Sequence, residues 1–298
     1  MRNIHFIVNP ISGKGRQTKE LNEDFLKSMF PSDQFSITMS IIPHKGATGI
    51  LTEQAIAAGA ETIVACGGDG TINEVARHLV HTEIRLGIIP RGSGNGLASH
   101  LAIPKNLLSC LNIIRTGNTT KIDTALAGNF RFFSNCGFGF PTELIRQYEL
   151  IPQRRLSGYI KAGLSSIHAI KDSAMLKITC NGKIMNARHL FVSNSNKMGY
   201  GMTLAPGASL KDGLFNVQVI GCETLISFGI YGLMVLMGKG DKKKEVTDML
   251  ATGVEVEGFK PLQAQIDGEF HQLNEQKIQI INEPASLNVL IANTSNIP

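Results

Sequence analysis

An α/β first half built on a parallel sheet, followed by a mainly β second half, is the fold class this 298-residue sequence predicts. Three observations carry that expectation. Within residues 1–125, short runs that are apolar throughout alternate with helical patterns, as parallel strands buried on both faces require. From Lys121 onward the helical patterns thin out, and short strands bounded by turn residues take over. Domains usually run to about 100–200 residues, so the length fits two. The expected division is 1–125, a three-layer α/β domain, and 126–298, a sandwich or open barrel, with the C-terminal strand able to return to either part.

In order, Ile4–Asn9 is a continuous apolar strand, and Ser12-Gly13-Lys14-Gly15-Arg16 leads into a helix over Gln17–Met29. Phe35–Ile42 reads as a strand and Thr48–Ala58 as a helix that Gly59 ends. Thr62–Ala65 is the third strand, and the third helix starts over Asn73–Leu79. Ile84–Ile89 is the fourth strand, followed by Pro90-Arg91-Gly92-Ser93-Gly94-Asn95-Gly96 and one more helix. The second half reads as strands at Ile122–Leu126, Phe130–Asn135, Leu176–Cys180, Lys183–Ala187, His189–Ser193, Phe215–Val219, Val254–Val256, Ala264–Ile266, Lys277–Ile281 and Leu287–Ala292. Asn181-Gly182 between two of them is a hairpin signal. Helical stretches interrupt at about 156–170 and 223–238.

Composition narrows the setting. The net charge of +5 permits an anionic partner without demanding one, and no nucleic-acid partner is expected. Five cysteines without a CxxC pair, in a chain opening directly into a strand, fit a reducing cytoplasm and buried thiols. Cys66 reads as a small core residue ending a strand. The longest uncharged stretch, Thr224–Gly238, is shorter than the roughly 20 residues that span a bilayer. It reads as a helix buried over the β domain or touching a membrane beside the basic run from Lys239 to Lys244.

Three strand-to-helix turns of the first half, NPISGKGR (9–16), GGDGTIN (67–73) and PRGSGNG (90–96), combine glycine with small polar residues. In a parallel sheet all three fall at the carboxyl ends of strands, where such sheets bind ligands, and helix N-termini there offer N–H groups to an anion. With Asn9, Thr71, Ser93 and Asn95 adding donors, they describe a phosphate-binding crevice, although neither GxxxxGK[ST] nor GxGxxG is present. Asp69, set among glycines 67, 68 and 70, then needs a reason: a carboxylate beside phosphate holds a cation or a substrate hydroxyl, or else caps its helix. Asp212-Gly213 and Asp267-Gly268 are turns that could also supply a metal ligand or a base.

At GGDGTINEV (67–75) the sequence resembles the diacylglycerol kinase catalytic family, in its bacterial lipid kinase branch, with sphingosine and ceramide kinases as relatives. NPISGKG (9–15), LGIIPRGSGNGLA (86–98), KDGLFNV (211–217) and IDGE (266–269) follow in the family's order and spacing, so the likeness spans nearly the whole chain. The resemblance implies a nucleotide-binding first domain, a lipid-binding β-rich second domain and an active site between them. Gly67, Gly68, Gly70, Thr71, Ile72 and Asn73 correspond to the ATP-binding loop, and Ser93 to the hydroxyl near phosphate. Asp69 matches the acid needed for magnesium-ATP or the acceptor hydroxyl, and Glu269 the proton acceptor. Asp212, with backbone oxygens at Ser209 and Leu214, matches a second Mg2+ site that Asp123 links to the cleft.

The implied activity is ATP-dependent phosphorylation of a lipid's primary hydroxyl by a cytoplasmic protein in peripheral contact with the membrane, with a homodimer as the base-rate assembly. Diacylglycerol, phosphatidylglycerol, ceramide and sphingoid bases all present such a hydroxyl. An NAD kinase and a non-catalytic nucleotide- or lipid-binding protein are the competing readings. Two departures stand out. Pro141 follows the GFG-like segment where many relatives place an acid, with Glu143 the nearest carboxylate, and this weakens a sphingoid substrate. Ile42 replaces a threonine common near the adenine.

Overall fold

The computed structural model describes residues 1–13, 21–92, 94–151, 156–197, 202–222 and 224–293. The chain divides into one unit of residues 1–122 with 285–298 and a second of 123–284.

The first unit contains β1 (Arg2–Val8), α1 (Glu23–Met29), β2 (Phe35–Ile41), α2 (Ala47–Ala57), β3 (Thr62–Gly67), α3 (Asp69–Leu79), β4 (Arg85–Pro90), α4 (Gly96–His100), α5 (Leu107–Thr116) and the start of β5 (Asn118–Ala127). Strands β1 to β4 are parallel in the order β2-β1-β3-β4, so the chain reverses its direction of winding beside β1. All six residues of β3 are buried, as in a sheet covered on both faces.

The second unit continues with β6 (Phe130–Phe132), β7 (Asn135–Phe138), α6 (Phe140–Glu149), α7 (Leu156–Ser165), α8 (Ala169–Asp172), β8 (Leu176–Cys180), β9 (Lys183–Ala187), β10 (His189–Ser193) and β11 (Phe215–Ile220). It closes with α9 (Leu225–Leu236), β12 (Val246–Ala251), β13 (Gly253–Gly258), β14 (Gln263–Ile266), β15 (Glu269–Gln272) and β16 (Lys277–Ile291). One of its sheets runs β12-β11-β10-β7-β14-β15, and the other is built from β9, β8, β13, the first half of β16, β5 and β6. Phe132, Ile178, Val256 and Ile278 from one sheet meet Phe138, Val192, Phe215 and Ala264 from the other in a single buried cluster, which makes this unit a sandwich.

Strand β16 shows how burial writes itself into sequence. Over Lys277–Asn282 buried and exposed residues alternate, and the strand pairs antiparallel with β13. Past Pro284 and Ala285, which has a φ of 50°, burial becomes continuous from Ser286 to Leu290, and Asn288 and Val289 pair parallel with β4. The two short strands expected from sequence are one strand with a change of period.

Several boundaries differ from the sequence reading for identifiable reasons. Helix α1 starts at Glu23, where the Asn22 side chain caps the Phe25 N–H at 2.8 Å; residues 14–20 lie outside the described residues. Helix α3 starts four residues before the expected Asn73, because Gly70 sits inside its first turn and does not break it. The single helix expected after the third turn is two, α4 and α5, separated by Ala102 at a φ of 53° and by Pro104. Phe130–Asn135 splits into β6 and β7, which enter different sheets. The 156–170 stretch contains α7 and the start of α8, and α6, β12 and β15 were not expected. Asn181-Gly182 does form the expected hairpin, with φ of 49° and 73° matching a type I′ turn.

Candidate active site

In the first unit, the three glycine-containing turns lie at the carboxyl ends of β1, β3 and β4 and touch one another. The Asn9 N–H donates to the Cys66 carbonyl at 2.9 Å, and the Asn9 side-chain amide donates to Thr71 Oγ1 at 3.1 Å. The Arg91 N–H donates to the Gly67 carbonyl at 2.7 Å. A Cβ on Gly92 would lie 2.7 Å from the Gly68 Cα, so the second and third turns pack backbone to backbone. A Cβ on Gly67 would come within 2.5 Å of Thr71, so glycine is what lets Thr71 fold back over the end of β3.

Asp69 is the first residue of α3, and its carboxylate does not cap its own helix. Oδ2 accepts the Asn95 N–H at 2.7 Å and Oδ1 the Gly96 N–H at 2.8 Å, the entry of α4 some 26 residues along. Asn95, left-handed at a φ of 55°, accepts the Gly92 N–H and donates to the Gly92 carbonyl. One carboxylate and one amide therefore hold the third turn against the second. The N-cap of α3 is Gly68, which supplies no side-chain cap to the first-turn N–H groups of the helix.

Of the residues expected to bind nucleotide, Asn9, Gly67, Gly68, Gly70, Thr71 and Asn95 are brought together with Asp69. Ile72 points into the core at 1% exposure, and its N–H is engaged by the Gly68 carbonyl at 3.0 Å. Asn73 follows on the same helix, while Ser93 and Lys14 lie outside the described residues. Ile42 is buried, its N–H bonded to the Val8 carbonyl. Sequence reading passed over Arg91, a buried residue of the third turn whose charge acts on the Cys66 and Cys110 thiols. Burial pushes the Cys110 thiol up to about 11 and raises Cys66 as well, in both cases outweighing the Arg91 charge, so Cys66 is a core residue.

In the second unit, Glu269 opens β15 directly after the two-residue turn Asp267-Gly268, whose φ values of 48° and 82° again match type I′. The turn is heavily anchored. The Asp267 carboxylate accepts the N–H groups of Phe133 at 2.8 Å, Ser134 at 2.7 Å and Asn135 at 3.1 Å. Gln265 accepts the Gly268 N–H and donates to the Asn135 side chain. On the far side, Glu149 at the end of α6 accepts the Phe270 N–H at 3.0 Å, a support with no local sequence signal. The result is two neighbouring carboxylates with different surroundings: Asp267 is committed to backbone, and Glu269 is exposed at the tip of a rigid hairpin.

The Ser209–Leu214 turn is shaped by its own side chains. Ser209 Oγ accepts the Lys211 N–H at 3.2 Å, and Asp212 Oδ1 accepts the Leu214 N–H at 3.0 Å. Buried Asp123 fixes the turn from β5, its N–H donating to the Leu210 carbonyl and its Oδ2 accepting the Gly213 N–H, both at 2.7 Å. Asp212 itself is exposed. No group of three His, Cys, Asp or Glu side chains able to hold a metal occurs among the described residues. The turn instead offers one carboxylate beside backbone carbonyls, hard oxygen donors that suit a cation keeping part of its water shell.

Pro141 sits in the first turn of α6, behind the N-cap Gly139 at a φ of 77°. The Glu143 carboxylate, the nearest acid, is bound by Arg146 at 2.7 and 2.8 Å and by Gln147 at 2.7 Å. Arg146 in particular holds it below the ordinary carboxylate range.

Residues 3–127 match the family described as the diacylglycerol kinase catalytic domain, and residues 145–291 the one described as the YegS C-terminal NAD kinase beta sandwich-like domain. A diacylglycerol kinase of Staphylococcus aureus (strain MRSA252) is 27% identical over 277 residues, covering 90% of this chain and 86% of that protein. An uncharacterized protein of Synechocystis sp. is 28% identical over 307 residues, covering 96% of this chain and 69% of that protein. The crystal structure of a diacylglycerol kinase from Bacillus anthracis str. Sterne shares the fold, with a TM-score of 0.78 at 23% identity over 99% of each chain.

Proposed function

We propose that this chain, whose residues 3–127 match the diacylglycerol kinase catalytic domain and residues 145–291 the YegS C-terminal domain, is a lipid kinase that transfers the γ-phosphate of ATP to the primary hydroxyl of a diacylglycerol-type lipid. The observation that carries this reading is the bond from Asp69 to the Asn95 and Gly96 N–H groups, which gathers the second and third turns around the start of α3, where no side chain caps the first-turn N–H groups. An anionic phosphate chain is the ligand that such N–H groups suit. Gly67, Gly68 and Gly70 let it approach the backbone, Asn9 and Thr71 orient its oxygens, and Asn95 holds the third turn in place through Gly92.

Phosphoryl transfer asks the protein for in-line placement, charge neutralisation and a group to take the hydroxyl proton. Glu269 takes that proton. Its carboxylate is exposed on a braced hairpin, whereas Asp267 spends its oxygens on three N–H groups and acts as the brace. Mg2+ neutralises phosphate charge when bound, with Asp69 and the Ser209, Asp212 and Leu214 oxygens as the chain's hard donors. Pro141 stands where many relatives place an acid, and the Glu143 carboxylate is engaged by Arg146, which supports a neutral acyl lipid over a sphingoid base.

Incubating the purified chain with Mg-ATP and a total lipid extract, followed by mass spectrometry, tests this. The expected product is phosphatidic acid. Phosphorylation of a sphingoid base or ceramide alone, or of NAD supplied in place of lipid, would overturn the assignment.

A further inference from the structure

From Leu225 to Met237 the only polar side chains are Ser227 and Tyr231. Both are engaged, Ser227 donating to Glu245 at 2.7 Å and the buried Tyr231 hydroxyl to Gln218 at 3.2 Å. A helix that is apolar all round belongs inside a core or against lipid. Helix α9 is only half in a core. Phe228, Tyr231 and Val235, 3–9% exposed, form its inner stripe. On the other side Leu225, Ile226, Ile230, Leu233, Leu236 and Met237 are 47–78% exposed. At 3.6 residues per turn these six, with Gly229 and Gly232, sweep an arc of about 160° that no polar side chain interrupts. Single exposed apolar residues are ordinary, but six in one arc are not.

Charge sits at one end of that arc. Residues 239–245 hold four lysines and two acids, a net of +2 (four minus two). Lys239, Lys242 and Lys244 are exposed. Glu245 bonds both Lys243 and Ser227, and Gly240 is buried close to Val235 and Tyr231, so the lysine segment is held against the helix.

We propose that the outer face of α9, together with Lys239 and Lys244, is a docking surface for an anionic lipid bilayer. The helix would lie in the interface, its apolar side chains at the headgroup–acyl boundary and the lysines among the headgroups. At 12 residues it is about 18 Å long by rise per residue, too short to cross. A second copy of the same face would bring only more positive charge, whereas an anionic bilayer neutralises it. The inference deepens the lipid-kinase reading by naming the surface on which the acceptor is met, and it is tested without catalysis.

The test is co-sedimentation of the full chain, without ATP, with vesicles of phosphatidylcholine or of phosphatidylcholine with about a third phosphatidylglycerol. The wild type is expected to sediment with the anionic vesicles. The I226S/L233S variant is expected to bind at least tenfold more weakly, and K239E/K244E to lose its preference for phosphatidylglycerol. The chain has no tryptophan, so I226W supplies a unique fluorophore whose emission should shift to the blue on binding. Turnover of a short-chain acceptor in true solution should be unchanged in I226S/L233S, which separates failed docking from failed chemistry. A wild type that stays in solution overturns the proposal, as does unaltered vesicle binding by I226S/L233S. A dimer that this variant dissociates, with no vesicle binding by either protein, overturns it as well.

Discussion

Replacing Asp69 by alanine separates what this residue holds from what it does. In the structure its two oxygens accept the Asn95 and Gly96 N–H groups at 2.7 and 2.8 Å, and both of those residues are buried. Alanine leaves two buried N–H groups without acceptors. A hydrogen bond to a charged group contributes about 1.5–3 kcal/mol, and Asp69 is only half-buried, so the lower end applies, about 3 kcal/mol for the pair. Opening of the third turn therefore becomes easier by about two powers of ten. Amide hydrogen exchange should read this directly, with Asn95 and Gly96 exchanging about 100-fold faster in Asp69→Ala and the β1 amides much less affected. Glu269→Ala is the contrast. Its side chain is exposed, so stability should move by less than about 0.5 kcal/mol, while lipid phosphorylation is lost in both variants. Unchanged exchange at Asn95 and Gly96 in Asp69→Ala would refute the reasoning, because the carboxylate would then not hold the turn.

Three further outcomes follow from named contacts. Gly67→Ala puts a Cβ 2.5 Å from Thr71 Cβ and Oγ1; the overpacking should cost about 1–3 kcal/mol in urea unfolding and weaken ATP binding measured by calorimetry. Glu269→Gln should lower kcat by about 10²–10⁴ with the KM for ATP unchanged, whereas Asp267→Asn, which disturbs three N–H bonds, should lose about 2 kcal/mol of stability as well; steady-state kinetics and denaturation on the same two proteins distinguish the roles. Burial pulls His189 down to about 4, its Nδ1 accepting the Phe140 N–H and its Nε2 facing the Ile170 carbonyl. The unfolded chain takes up that proton near pH 6.5 and the folded one only near 4, so stability present above 6.5 is lost as pH falls toward 4, by about 3 kcal/mol. Denaturation between pH 7 and 4.5 should show that loss, and a smaller one in His189→Gln.

Much of the fold is legible because burial leaves a period. The unbroken apolar run of β3 and the change of period in β16 each report which faces of a strand are covered. Asn181-Gly182 is legible because few residue pairs adopt its backbone. The remainder depends on contacts distant in sequence. Nothing near Asp69 in the chain says that its partner is the entry of α4, so a capping role and a ligand-binding role could not be separated without coordinates. Asp267 and Glu269 look alike as letters in IDGE, and only the three N–H groups from 133–135 show which of the two carboxylates is committed to the backbone. Burial of Arg91, against the habit of its residue type, is likewise a property of what surrounds it. Helix α6 begins with glycine at the N-cap and proline in the first turn, which are start signals that residue pattern alone does not separate from a turn.

The most direct test of the central claim is transfer of labelled γ-phosphate from Mg-ATP to diacylglycerol by the purified wild type and by Glu269→Gln, side by side. Label in phosphatidic acid with the wild type, reduced at least 100-fold in the variant, is the predicted result. Equal labelling by both proteins would contradict the role given to Glu269, and no labelled lipid from the wild type would contradict the account as a whole.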